Sequence, residues 1–107
     1  MAFYELRKYK IRRGKMNDWL KLMEGEIIPF QISRGMVITA SFRGENDDSV
    51  YIWMRRFNSE KERERLYKAV YEHPQWVNEI APQVGKLIHR EKIEVQRVIP
   101  TKKSTTQ

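Results

Sequence analysis

The sequence has no cysteine, only two histidines, five glycines and four prolines among its 107 residues. Without cysteine there is no disulfide, no thiol nucleophile and no thiolate-bound zinc or iron–sulfur centre, and nothing calls for an oxidising compartment, so a cytoplasmic location is expected. The scarcity of glycine and proline excludes a fibrous or low-complexity chain. No apolar run approaches the ~20 residues that span a bilayer, and no signal-peptide block opens the chain. His73 and His89 lie far apart with no carboxylate at ligand spacing, so no metal site is expected. There is no glycine-rich phosphate loop, since Arg13-Gly14-Lys15 is an isolated turn, and Ser41, Ser49 and Ser59 lack a nucleophile-elbow context. No cofactor is implied.

What is present suits one globular domain: 40% hydrophobic and 33% charged residues in a length that supports a single core. The net charge of +7 suggests an anionic partner until it is divided along the chain. Residues 1–15 hold six bases against Glu5, and the tail after Pro100 adds Lys102 and Lys103, which leaves 13 bases and 13 acids between them. A nucleic-acid surface spreads bases over one face and interleaves aromatics. Here the excess sits on one strand end, its turn and a tail, so specific nucleic-acid binding is not expected.

Residues 3–11 read as a strand closed by Arg13-Gly14, with Tyr4, Leu6, Lys8 and Lys10 on one face and Phe3, Glu5, Arg7, Tyr9 and Ile11 on the other. From Met16 the period changes: Met16, Trp19, Leu20, Met23, Ile27 and Phe30 form one helical stripe, with a bend or an end expected at Pro29. Met36–Phe42 and Ser49–Phe57 read as a hairpin around a polar turn, the second strand apolar on both faces and therefore central. Ser59-Glu60-Lys61-Glu62 is a capping box, in which Glu62 is expected to reach the Ser59 N–H, and the helix it opens buries Leu66, Tyr67, Ala69, Val70 and Tyr71. Pro74 suits the first turn of a further short helix ended by Pro82, and Leu87–Ile99 alternates as a last strand. Residues 1–100 thus form one domain and 101–107 a polar, basic tail expected to fray.

This order predicts an α+β, ferredoxin-like βαββαβ fold: a four-stranded antiparallel sheet with its helices on one face. The other sheet face is left bare. Because both faces of the first strand carry bulky apolar groups, one of them would form an exposed patch, and an isologous homodimer with sheets packed face to face is expected.

Taken together, Tyr4-Glu5-Leu6-Arg7-Lys8-Tyr9, Arg13-Gly14-Lys15, Ile52-Trp53, Ser59 with Glu62-Arg63, and His73-Pro74-Gln75-Trp76 resemble the NIPSNAP family over about residues 3–100. The chain departs from the family pattern at Ala40, Tyr51 and His73, where Gly, His and Asp are common. The resemblance implies a dimeric α+β barrel; the family has no agreed biochemical activity. In barrels of this kind a mostly apolar cavity between sheet and helices takes a ligand. The candidate ligand-binding residues are Tyr9, Tyr51, Trp53 and Arg55 from the strands, with Trp19 and Trp76 as a helical wall and Arg55 as anion partner of a small apolar or carboxylate-bearing molecule. The same aromatics also suit a plain core. Alternatives are a cofactor-independent monooxygenase or isomerase, and a non-catalytic interaction module.

Overall fold

A computed structural model describes residues 1–107. Four strands, β1 (Phe3–Lys10), β2 (Val37–Arg43), β3 (Val50–Phe57) and β4 (Glu94–Val98), form one antiparallel sheet in the order β2-β3-β1-β4. This is the ferredoxin-like arrangement. β1 and β3 are central and pair along their whole length, from Phe3 opposite Phe57 to Lys10 opposite Val50. That register places Phe3, Glu5, Arg7 and Tyr9 beside Phe57, Arg55, Trp53 and Tyr51 on one face, since alternate residues share a face.

The helices cover that face. The first helical stretch runs as α1 (Met16–Leu22), a widened π turn over Met23–Ile27, and α2 (Ile28–Ser33). The second pair of helices comprises α3 (Glu60–Tyr71) and α4 (Ala81–Leu87), the latter entered through another π turn, Trp76–Ile80. Pro82 therefore does not end the last helix, contrary to expectation, and of the bend or end expected at Pro29 the end does not occur. In both cases a π turn immediately precedes: Ile28 N–H bonds back to Met23 O, and Ala81 N–H to Trp76 O. A proline in a regular helix clashes with the carbonyl four residues back and leaves it unpaired. The extra residue in the turn moves that carbonyl aside and lets the helix continue.

Local signals account for the other boundaries. Ser59 Oγ accepts the Glu62 N–H at 3.1 Å and starts α3, while the Glu62 carboxylate takes the Asn58 N–H at 3.0 Å rather than that of Ser59. His73 Nδ1 accepts the Gln75 N–H at 3.0 Å, capping the turn that opens at Pro74. Gly35, at φ +105°, releases the chain from α2 into β2 with Leu66 Cδ2 only 2.9 Å from where a Cβ would stand. The last strand is shorter than its alternating pattern implies, because Leu87 closes α4, Ile88 bridges to Ile11, and a 3-10 turn over Arg90–Lys92 intervenes.

The core lies between sheet and helices, with Trp19, Tyr51, Trp53, Phe57, Leu66, Val70 and Ile80 almost wholly buried. Each such side chain contributes roughly 1.5–3 kcal/mol over its exposed state. The opposite sheet face is bare within one chain: Leu6, Val50, Ile52 and Met54 are half-buried and Phe42 is 59% exposed. β3 is thus covered on one side only. Arg56 on that bare face donates through Nε to the Gln107 carbonyl at 2.9 Å, and Gln107 Nε2 donates to Thr101 O at 2.8 Å, so the tail turns back over one corner of it. No helix is long and apolar enough to cross a membrane.

Candidate functional site

Under the helices, a cavity of about 150 Å³ opens beside β1 and β3. Tyr9 and Trp53 form its floor, Trp19, Met23 and Ile27 one wall, and Tyr71 and Trp76 the other. Both π turns reach it, through Met23 and Ile27 on one side and Trp76 on the other. The rings pack edge to face, Tyr9 with Trp19 at 5.7 Å and with Trp53 at 6.1 Å, and Tyr71 with Trp76 at 5.0 Å between centroids. Such contacts fix ring orientation as well as burying area.

A charged network lies behind these rings. Glu5 and Arg55 face each other across β1 and β3, both fully buried, with Arg55 Nη2 2.9 Å from Glu5 Oε1. Tyr67 of α3 donates to Glu5, and Arg63 Nε adds a bond to Glu5 Oε2 at 2.7 Å. Arg55 donates further to Tyr67 at 2.8 Å, to Tyr71 at 2.7 Å and to Gln31 Oε1 at 3.0 Å. Its guanidinium also stacks 4.7 Å above the Trp53 ring. Burial alone would raise the Glu5 pKa, but the hydrogen bond from Tyr67, followed by the charge of Arg55 and the bond from Arg63, hold it below the ordinary carboxylate range. Glu5 is therefore ionised at neutral pH.

The six residues singled out from sequence separate into two groups. Tyr9, Trp19, Trp53 and Trp76 line the cavity together. Tyr51 and Arg55 do not. Tyr51 is buried against Trp19 at 5.6 Å and shares a 2.6 Å hydrogen bond with Ser41, burial pushing its pKa up to about 12. Arg55 lies beneath the cavity, where it donates to Tyr71 and Gln31 and does not reach the lining.

Two guanidiniums line the cavity: Arg90, which is solvent-exposed and donates to the Ala81 carbonyl at 2.6 Å, and Arg7, with Nε 3.1 Å from the Tyr9 hydroxyl and its guanidinium carbon 5.6 and 5.8 Å from the Tyr9 and Trp53 ring centres. Gln31 and Tyr71 also line it, and neither was among the residues expected there. Gln31 was detectable: it continues the four-residue spacing Trp19, Met23, Ile27 as a polar residue on an apolar stripe. The histidines lie outside: the His73 ring packs on Phe30 at 5.2 Å, and His89 meets Glu91 at 3.3 Å.

The NIPSNAP family profile matches residues 4–105. Among solved structures, the chain is similar to a NIPSNAP family protein from Agrobacterium tumefaciens, with 27% identity, TM-score 0.88 and full coverage of both chains. It is also similar to a second Agrobacterium tumefaciens family protein of unknown function, at 24% identity and TM-score 0.88 over 99% of this chain and 94% of that one. SnoaB, a cofactor-independent oxygenase from Streptomyces nogalater, shares the fold at 11% identity and TM-score 0.71, over 99% and 98% of the two chains. No curated protein matches the sequence.

Proposed function

The chain belongs to the NIPSNAP family, and from the cavity beneath its helices we propose that it binds a small molecule there as one half of a homodimeric barrel. The observation that carries this reading is the space itself. A well-packed domain of this size leaves few voids larger than a water molecule. Here about 150 Å³ lies between sheet and helices, walled by five aromatic side chains and by the residues of two π turns. A cavity of that volume holds a benzene-sized guest. π turns recur at functional sites because the extra residue re-aims neighbouring side chains, and both of this fold's π turns reach this one place.

The bare sheet face supports the dimer. Leu6, Ile52, Met54 and Phe42 make an apolar surface on the side that the helices leave open, and a second copy related by a two-fold axis would cover it. A second reading, a cofactor-independent oxygenase or isomerase, has the fold shared with SnoaB behind it. Shared fold hosts unrelated chemistries, so the binding reading stands first.

Native mass spectrometry under gentle conditions tests both parts. A mass of twice 13.0 kDa supports the barrel, and extra mass lost on denaturation identifies a ligand. Quenching of Trp19 and Trp53 fluorescence by benzene-sized aromatics, abolished in a cavity-filling Val84→Phe variant, places the guest. Undiminished quenching in that variant would remove the cavity from consideration.

A further inference from the structure

The polar groups around the cavity are all donors. Gln31 Oε1 is occupied by Arg55 Nη1, so its amide nitrogen is what remains, and Gln31 Nε2 is buried without a partner. Trp19 Nε1 and Trp53 Nε1 are likewise buried and unpartnered. The hydroxyl oxygens of Tyr9 and Tyr71 already accept from Arg7 and Arg55, guanidiniums that can only donate, which leaves each phenol its own proton to give. Tyr9 keeps that proton at neutral pH, because burial raises its pKa. No Asp, Glu, His, Ser or Thr takes part in the lining.

Charge leads to the same place by a separate route. Glu5 is the one buried carboxylate, and Arg55 and Arg63 take its oxygens at 2.9 and 2.7 Å. Arg7 stands 3.9 Å from Glu5, makes no hydrogen bond to it, and donates only to the phenols of Tyr9 and Tyr67. Its side chain is only 14% exposed, so it is a largely dehydrated cation that shares Glu5, at the longest distance, with two closer guanidiniums. A buried charge of that kind is costly unless an opposite charge completes it.

Building on the cavity reading above, we propose that the ligand is a small monoanion, its carboxylate or enolate oxygens held by Arg7 with the Tyr9 and Tyr71 hydroxyls, and its benzene-sized apolar body lying among Trp19, Trp53 and Trp76. Arg55 is a positioning residue here: it fixes Tyr71 and Gln31 so that their hydrogens face the guest. A cationic or donor-rich molecule finds no acceptor in this lining and is rejected.

Calorimetric titration of the whole protein with benzoate and with benzamide, which keeps the ring and carbonyl but not the charge, tests this. Benzoate is expected to bind about tenfold or more tighter, in keeping with a charge-assisted hydrogen bond. Arg7→Gln removes that preference while benzamide binding persists, and Arg7→Lys, which keeps the charge, retains part of it. Should Arg7→Gln fail to fold, as judged by circular dichroism, Tyr71→Phe still reports, because loss of one hydroxyl weakens benzoate several-fold. Equal affinity for the two probes, or a preference that survives Arg7→Gln, or for an unfolded Arg7→Gln benzoate binding unchanged in Tyr71→Phe, overturns the anion assignment alone. Binding of neither probe overturns the cavity reading and this inference with it.

Discussion

Arg55 Nη2 lies 2.9 Å from Glu5 Oε1, and neither side chain meets solvent. A buried ion pair adds little over a well-packed apolar pair, but removing one member strands the other. Glu5→Gln leaves Arg55 without its carboxylate and is expected to lower stability by roughly 3–5 kcal/mol. Chemical denaturation measures it. Glu5→Leu combined with Arg55→Met is expected to lose less than either single change, since the fully buried guanidinium goes with its carboxylate and Arg63, which is part-exposed, keeps Glu60. A double variant worse than both would show that the pair itself supplies net stability.

Acid should weaken the fold through the same carboxylate. The Glu5 pKa is lowered in the folded protein, so its contribution is complete above the ordinary glutamate pKa and is lost as pH falls through the lower, folded value. The urea midpoint is therefore expected to fall as pH drops below the ordinary glutamate range. In Glu5→Gln that slope should shrink; an identical slope in both proteins would place the titrating groups elsewhere.

At the alkaline end the phenols report on burial. Desolvation raises Tyr9, and takes Tyr51 and Tyr67 to about 12. For a raised acid the stabilisation is present below the unfolded value and is lost as pH climbs through the folded one, so stability should decline above the ordinary tyrosine range, near 10. Ultraviolet titration of the native protein is expected to leave Tyr9, Tyr51 and Tyr67 un-ionised where the urea-unfolded chain has already titrated. A native titration curve that coincides with that of the unfolded chain would contradict this burial.

Periodicity revealed the architecture because each element buries one clean stripe. Tyr51, Trp53, Arg55 and Phe57 alternate along β3, and the Trp19 stripe recurs at helical spacing, so the faces and their pairing could be read before any coordinates. The prolines misled for a local reason: Pro29 and Pro82 are breakers only in regular helix, and hydrogen bonds between Ile28 and Met23 and between Ala81 and Trp76 widen the turn ahead of each. Arg55 reads in the sequence as the anion partner of a ligand, and its structural part is not legible there, since its partners Glu5, Gln31, Tyr67 and Tyr71 come from three other elements. Arg7, not Arg55, lines the cavity. One register step across the sheet separates it from Arg55, as Arg7 pairs with Trp53 and Glu5 with Arg55, and only the β1–β3 register tells which guanidinium meets the carboxylate.

The link between α2 and β2 should tolerate no side chain. Gly35 has φ +105°, which L residues rarely adopt, and an added Cβ would come within 2.9 Å of Leu66 Cδ2. Gly35→Ala combines backbone strain with this contact and is expected to cost about 1–3 kcal/mol. Leu66→Val in the Gly35→Ala background would ease the clash and leave the strain, so thermal unfolding should show only partial recovery. Full recovery would assign the whole cost to packing against α3.

The bare face of the sheet carries the last prediction. Met54 sits mid-strand on β3 opposite Leu6 of β1 and Ala40 of β2, at the centre of the apolar surface that the helices leave open. If a second copy covers this surface, Met54→Arg would bury a cation against its own symmetry mate, two like charges meeting near the axis, since an isologous interface repeats every change. The substitution is expected to turn a dimer into a monomer in size-exclusion chromatography with light scattering, while circular dichroism stays that of the folded chain. The half-buried position makes the monomer's own stability insensitive to it. A dimer unaffected by Met54→Arg would move the interface to another surface, and Phe42→Asp, at the exposed edge of the same face, would then be without effect as well.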